Sequence, residues 1–424
     1  MIAVTGLPAP AVTQVLVQLA LVSALAHVGG RAARALGQPA VLGQVLAGVL
    51  LGPSVAARMA SEPWAWTFDR EPEAASIMPA LASLGAVLIL ALAGLGLDLG
   101  VVRERGRKLP VLVVGALVPG LVGGLLIGLV LPDRFLGPET GRSGFAALVA
   151  IALAISSPPV MSAVLRELGV AHRSFANVAL SVAMVTDVVG WVLLGVVVAG
   201  ASGAAGALGR AAIGLVMVGL LVAGLWWLLP RWRPGPQSPP LAAIGVVVVL
   251  ALAAITNEFG IEAVLGAFLA GIALRRFGDR GREVREGLRP VVDHLLGPLF
   301  FAYAGLRVDL RSFGSASVLA WTAALVVVAT LAKVLGSGGA WRLAGRPRSE
   351  SLAMGAILNV RGSLEIVLAG VGLSAGILTD TSYAAVIAMA VVTSAMAAPL
   401  IRYAFGPEGL AARQQPVEPA AEPV

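Results

Sequence analysis

Residues 40–51 read AVLGQVLAGVLL and residues 263–274 read AVLGAFLAGIAL, identical at eight of twelve positions. One apolar stretch further on, each has a second echo: AGLGLDL at 93–99 and AGLRVDL at 304–310 agree at five of seven. Apolar sequence of low complexity matches itself once by chance with ease. Two matches in the same order, each one stretch apart, point to an internal duplication. The copies are seven apolar stretches apart, and an odd separation makes them enter a membrane in opposite directions. That is the inverted-topology repeat of secondary transporters, whose substrate site sits at mid-membrane on broken helices.

Composition requires the membrane. Of 424 residues, 58% are apolar and 12% charged, against about 25% charged in soluble proteins. The 52 Gly and 26 Pro fall inside long Val/Leu/Ala runs, where membrane helices tolerate them. There is no cysteine, which excludes disulfides, thiolate catalysis and cysteine metal sites. The three histidines, His27, His172 and His294, are scattered and receive no role. A crossing helix needs about 20 apolar residues. Thirteen such stretches lie near 11–28, 40–56, 76–98, 109–131, 144–165, 174–199, 211–229, 240–256, 261–274, 291–306, 316–341, 351–373 and 381–401. The first has no basic residue ahead of it and no small-residue cleavage site, so a retained span is expected.

The loop charges orient the chain. With thirteen spans, the basic residues fall on alternate sides at about three to one. Arg31, Arg103, Arg166, Arg231, the cluster 275–289 and Arg346 share one side, and Arg58, Arg70, Arg134 and Arg311 the other. The N-terminus is therefore expected outside and the C-terminus in the cytoplasm. The cluster 275–289 reads as a cytoplasmic loop facing anionic lipid. The fold class expected is an all-α polytopic membrane protein of about 13 helices, with two inverted-topology five-helix repeats at 38–200 and 260–403. Residues 1–405 form one transmembrane domain. Residues 406–424, rich in Pro, Glu and Ala, read as a short disordered cytoplasmic tail.

The repeat also locates the broken helices, in the fifth and twelfth stretches. The fifth holds Ser156-Ser157-Pro158-Pro159 at mid-depth; two prolines remove two backbone donors and clash with the preceding turn. The twelfth holds Asn359-Val360-Arg361-Gly362-Ser363 at a similar depth. Unwound backbone survives in a membrane only when buried in protein or lining a polar cavity.

Charges at mid-membrane point to function. Asp187 sits in the middle of the sixth stretch between the small residues Ala183 and Gly190. It is either a structural carboxylate, protonated or paired, or a group that binds a proton and a cation in competition. Lys333 lies deep in the eleventh stretch and is one of two lysines in the chain. Buried lysine can release its proton where arginine cannot; Asp187 across the bundle is its natural partner, and snorkelling to an interface is its other role. Arg361 and Glu365, spaced i,i+4, form a pair at the break or part of an ion site. Ser156 and Ser157 offer oxygen to a hard cation or cap a half-helix. Asp98 and Asp309, at matched repeat positions, read as interface or gating residues.

Together these residues resemble the second cation/proton antiporter family over roughly 38–403. The resemblance is carried by AVLGQVLAGVLLGPS (40–54), SSPPVMSAVLRELG (156–169), VTDVVGWVLL (185–194), AVLGAFLAGIAL, GPLFFAYAGLRVDL (297–310), LAKVLG around Lys333 and LNVRGSLEIVLA (358–369). It implies thirteen spans, a homodimer, and a core domain that moves against a dimerisation domain. It makes Asp187 the ion-binding carboxylate and Lys333 its partner, with the broken spans crossing beside them. Thr186 stands where many members have a second acid or Asn, which favours electroneutral exchange. Gly96 stands where relatives often have Glu. No nucleotide-binding segment follows the last stretch, so nucleotide gating is not expected.

The function expected is monovalent cation (Na+ or K+):proton antiport by alternating access in a bacterial-type plasma membrane. Asp187, Thr186, Lys333, Ser156 and Ser157 would bind the ion or proton, and Pro158, Pro159, Asn359, Arg361 and Glu365 would support the breaks. Asp187 would hold the transient Na+ or K+, with no cofactor. The partners expected are the two substrates, membrane lipid and a second copy, and no nucleic acid. The alternative is a sodium- or proton-coupled organic-acid carrier of the same architecture. An intramembrane hydrolase lacks a Gly-x-Ser-x-Gly nucleophile with a membrane His, and Asp187 lacks a catalytic Asp partner, so no enzyme is expected.

Overall fold

The structure, a computed structural model, describes residues 8–96, 108–171, 173–201, 206–228, 231, 241–259 and 262–411. Asp98 and His172 lie outside the described residues. In hydrocarbon each backbone N–H and C=O must find a partner inside the protein, so apolar runs fold as helices. In chain order these are α1 (Ala9–Ala35), α2 (Ala40–Leu51), α3 (Ile77–Leu95), α4 (Lys108–Val130), α5 (Arg142–Ala154) and α6 (Pro158–Glu167). Next come α7 (Ser174–Ala201), α8 (Ala207–Leu228), α9 (Leu241–Glu258), α10 (Ala263–Arg275) and α11 (Asp279–Val291). The last are α12 (Gly297–Leu306), α13 (Ala316–Lys333), α14 (Arg348–Leu358), α15 (Ser363–Ser374) and α16 (Asp380–Ala411). Among the described residues there is no strand, only an isolated antiparallel bridge between Leu136 and Leu378.

Seven helices among the described residues are long and apolar enough to cross a membrane unaided. Fewer qualify than the apolar stretches suggest because several stretches are interrupted. Stretch 144–165 divides into α5 and α6, and 351–373 into α14 and α15. The 13-residue α10 fills a stretch that is itself short, and 291–306 divides into a π-helical turn, Val292–Leu296, and the 10-residue α12. A second π-helical turn, Val334–Gly338, follows α13 directly after Lys333.

Small residues set the closest helix contacts. A methyl group on Gly48 of α2 would overlap the Ala302 carbonyl of α12, and one on Gly305 of α12 would overlap the Val45 carbonyl of α2. A methyl on Gly271 of α10 would overlap the Ala91 carbonyl of α3, and one on Gly94 of α3 the Phe268 carbonyl of α10. In the sequence match, Gly48 corresponds to Gly271, Gly305 to Gly94, Ala302 to Ala91 and Val45 to Phe268. Each copy of the motif thus packs on its neighbour's second element at the same offset. The α1–α2 and α9–α10 contacts match as well: Gly43 lies on Gly29 and Ala33, and Gly266 on Leu252 and Thr256. Glycine allows backbones this close, and such packing replaces hydrophobic driving force between helices in lipid.

Two segments differ from the sequence expectation. The arginine cluster 275–289 is largely helical: in α11, Val284 and Leu288 are buried at i,i+4 while Arg282, Arg285 and Arg289 are exposed. That apolar spacing, and the Arg289–Asp293 pair at 3.0 Å, favour a helix over a loop. At the other end, α16 continues beyond a kink at Gly406 (φ 68°), so residues 407–411 of the expected disordered tail are helical; 412–424 lie outside the described residues.

The buried apolar side chains form two main clusters. One contains Phe175, Val178, Ala179, Val182 and Ala183 from the first half of α7. The other contains Trp191, Leu194 and Ala199 from its second half. Thr186 and Asp187 fall at the boundary between them, the one polar pair on that length of helix.

Candidate functional site

Helix α5 stops at Ala154 because Pro158 and Pro159 cannot continue it. Ile155 to Ser157 are non-helical, and α6 restarts with Pro158, where a missing N–H costs nothing. Helix α14 stops at Leu358, and α15 restarts at Ser363. The two breaks are tied together. Ser157 N–H donates to the Val360 carbonyl at 3.0 Å, and the Ser156 hydroxyl donates to the Leu358 carbonyl at 2.6 Å. Ser394 of α16 pins the second break: its hydroxyl accepts from Arg361 N–H at 2.8 Å and donates to the Arg361 carbonyl at 2.6 Å.

A helix end leaves its last four carbonyls without intrahelical partners. At α5 two cationic side chains take all four. Arg361 donates to Ala152, to Leu153 at 2.9 Å, and to Ile155 at a weaker 3.4 Å. Lys333 donates to Ala154, and also to Ala116 of α4 at 3.1 Å. Both side chains are fully buried, and positive charge at a helix C-terminus is favoured by the dipole. Lys333 therefore makes no ion pair with Asp187 within 4 Å, unlike the pairing the sequence suggested. Its ammonium lies where α4 and α5 present carbonyls, a position set by how three helices cross.

The Arg361–Glu365 pair is present, at 3.9 Å with both side chains fully buried. Glu365 Oε2 accepts the Gly362 N–H at 2.8 Å, capping α15, while Oε1 has no hydrogen-bond partner. Asp187 is 4% exposed and its Oδ1 has no partner. Its carboxylate faces the Ser156 amide and the charges of Glu365 and Lys333. Thr186 is buried and its hydroxyl donates back to the Ala183 carbonyl at 2.9 Å, leaving its lone pairs free. A small cavity adjoins Asp187, walled by Ile155, Gly190, Trp191, Leu194, Leu364 and Leu368.

Two further buried oxygens lack partners, Ser157 Oγ and Asn359 Oδ1. The Asn359 amide donates to Thr330 Oγ1 of α13 at 3.2 Å. The breaks thus bring together Ser156, Ser157, Pro158, Asn359, Arg361, Glu365, Lys333 and Asp187. Thr330 and Ser394 were missed in the sequence; Thr330 is a lone hydroxyl in an apolar run and Ser394 half of the pair Thr393-Ser394 in another, the signals that could have found them. The donors are oxygens, suited to a hard cation. Among the described residues no group of three or more His, Asp or Glu gathers as a metal site.

Asp309 lies apart from this site. Its carboxylate accepts from the Ser54 hydroxyl at 2.8 Å and from Arg311 N–H and Nε at 2.9 Å each. Arg311's side chain, aided by the Arg311 backbone amide and the Ser54 hydroxyl, holds the carboxyl down at about 2. Ser54 also accepts the Leu310 N–H at 2.7 Å, so Asp309 caps the turn after α12 and ties it to the end of the 40–54 motif.

A family profile described as sodium/hydrogen exchanger, transmembrane, matches residues 20–403. The chain belongs to that family. It is 26% identical over 402 residues to Cation/H(+) antiporter 19 of Arabidopsis thaliana, covering 93% of this chain and 50% of the relative. It is 26% identical over 394 residues to the Na(+)/H(+)-K(+) antiporter GerN of Bacillus cereus, covering 92% of this chain and 96% of the relative. The chain spans about half the length of the plant relatives it matches. Its fold resembles that of the sodium proton antiporter MjNhaP1 from Methanocaldococcus jannaschii, with a TM-score of 0.59 at 16% identity over 95% of this chain and 99% of the other.

Proposed function

We propose that the chain exchanges a monovalent cation, Na+ or K+, for a proton by alternating access, with Asp187 binding the two in competition. The observation that carries the reading is the Asp187 carboxylate, 4% exposed and with an oxygen lacking any partner, beside the crossing of two broken helices. An unpaired carboxylate is costly inside a protein. A proton or a cation relieves that cost, so either loaded state is favoured over the empty one in the sealed conformation. Motion confined to loaded states couples the two fluxes. Family membership and the names of the relatives support a cation and a proton as substrates. One titrating carboxylate next to Thr186, in place of a second acid, supports one-for-one exchange.

The architecture belongs to the same proposal. Thirteen spans, with the N-terminus outside and the C-terminus in the cytoplasm, are supported by the loop charges. The inverted repeats are supported by the matched glycine contacts of α2–α12 and α10–α3, and the α1–α2 and α9–α10 contacts extend them to include α1 and α9. A single membrane domain at 1–405, a homodimer in a bacterial-type plasma membrane and the absence of enzymatic activity complete the reading.

The organic-acid carrier is not favoured. The wall of the cavity beside Asp187 offers no cationic donor to a carboxylate substrate, and the Lys333 ammonium and the terminal nitrogens of Arg361 are already engaged with backbone carbonyls. Purified protein in liposomes under an imposed pH gradient tests the proposal. Adding Na+, K+ or Li+, but not choline, should dissipate the gradient, and Asp187→Asn should abolish this while remaining folded. Wild-type exchange in that variant would overturn the assignment.

A further inference from the structure

The two broken helices do not end alike. All four terminal carbonyls of α5 are occupied by the cationic side chains of Lys333 and Arg361. A cation approaching that end would meet two positive charges already seated on those carbonyls. Among the described residues the end of α14 receives neutral donors: the Val360 amide on Ile357, the Ser156 hydroxyl on Leu358 and, just beyond the helix, the Ser157 amide on Val360. Its negative dipole end is therefore left without a compensating charge.

Beside that end lies Asn359, fully buried, with its amide nitrogen held by Thr330 and its Oδ1 without a partner. A buried carbonyl oxygen left unpaired costs free energy unless a ligand satisfies it. The Thr330 hydroxyl accepts from the amide nitrogen at 3.2 Å, which holds the side chain in place with Oδ1 as its unpaired atom. Ser156 joins this end to Asp187: its amide faces the Asp187 carboxylate and its hydroxyl binds the carbonyl of Leu358, the residue before Asn359.

We infer that the transported cation is held between Asp187 and the C-terminal end of α14, with Asn359 Oδ1 as a direct ligand oriented by Thr330, while Lys333 and Arg361 exclude it from the end of α5. This rests on the antiport reading and adds to it a residue that sets affinity and ion preference. A neutral amide oxygen and one carboxylate suit a weakly hydrated monovalent ion better than a divalent one, which needs more anionic charge.

Asn359→Ala, Thr330→Val and Asp187→Asn are compared with wild type in two measurements. One is cation-dependent proton flux in liposomes against Na+, K+ and Li+ concentration. The other is the rise in melting temperature in detergent when the cation replaces choline at constant ionic strength. Asn359→Ala should raise the apparent KM for the preferred cation about tenfold or more and shrink the cation-dependent rise in melting temperature. Should Asn359→Ala fail to fold, Thr330→Val decides: it leaves the ligand in place but frees its orientation, and should change the ratio of KM values between Na+ and K+. An unchanged KM in Asn359→Ala, or an unchanged ratio in Thr330→Val if the first does not fold, overturns the inference while loss of exchange in Asp187→Asn leaves the antiport reading standing. Exchange that survives Asp187→Asn overturns both.

Discussion

Replacing Arg361 with methionine removes two things at once, and their sizes can be separated. The guanidinium makes two strong contacts and one weak contact to the carbonyls ending α5. Hydrogen bonds to charged groups contribute about 1.5–3 kcal/mol each, so this part is worth about 3–6 kcal/mol. The guanidinium also stands 3.9 Å from Glu365; leaving one partner of a buried pair alone costs about 3–5 kcal/mol. Arg361→Met should therefore lose more than half of a stability of about 5–15 kcal/mol. Glu365→Gln removes the charge but keeps an acceptor for the Gly362 amide, and Arg361 stays on the carbonyls, so it should be the mildest change. The double variant Arg361→Met/Glu365→Gln recovers only the unpaired carboxylate and should fall between them. Melting in detergent, followed by the fluorescence of the 8 tryptophans, gives the order. A double variant as stable as Glu365→Gln alone would mean that capping α5 contributes nothing, and the argument for the role of Arg361 would fail.

Two other outcomes test the fold. Gly48→Val and its counterpart Gly271→Val push a branched side chain into the facing backbone, so each should cost about 3 kcal/mol or more. Gly224→Val, with nothing within 4 Å of the added carbon, should leave the melting temperature nearly unchanged; equal melting of all three would refute the close packing of α2–α12 and α3–α10. Asp309, held at about 2 in the folded protein against about 3.9 for a free aspartate, adds stability that is present above pH 4 and lost as the pH falls towards 2. Melting temperatures measured between pH 5 and 2 should fall less steeply in Asp309→Asn than in wild type, and parallel curves would remove Asp309 from the turn's stability.

The breaks were legible because proline and a polar run in an apolar stretch are local signals, and the structure interrupts both helices there. Asp187 was legible for a related reason: one acid among Val, Leu and Ala has no local explanation. The i,i+4 spacing of Arg361 and Glu365 placed them on one face without knowledge of the bundle. The partners of Lys333 were not legible. Its ammonium reaches carbonyls of α4 and α5, far away in sequence, and backbone carbonyls leave no trace in residue type. Asn359 was flagged only as part of a break, because an unsatisfied oxygen is a property of its surroundings. The glycine contacts were half legible: the identities marked the duplication, while the exchange of partners between copies needed coordinates. At Asp309 the sequence suggested an interface or a gate, and the hydrogen bonds from Ser54 and Arg311 show a turn cap.

The π-helical turn at Val334–Gly338 has a consequence for chain length. A π turn holds one residue more than the regular helix around it, the mark of a single-residue insertion. Each inserted residue turns what lies beyond it by about 100° relative to what lies before. Lys333 stands on one side of the extra residue; Gly338, which packs on Ser351 of α14, stands on the other. The insertion is thus what allows one span to point its lysine at the end of α5 and its small residues at α14. Removing one residue here would leave a more regular helix that could satisfy only one of those neighbours. Span length at this point therefore encodes direction, and an alignment that closes the gap would misassign the inward face of everything on one side of it.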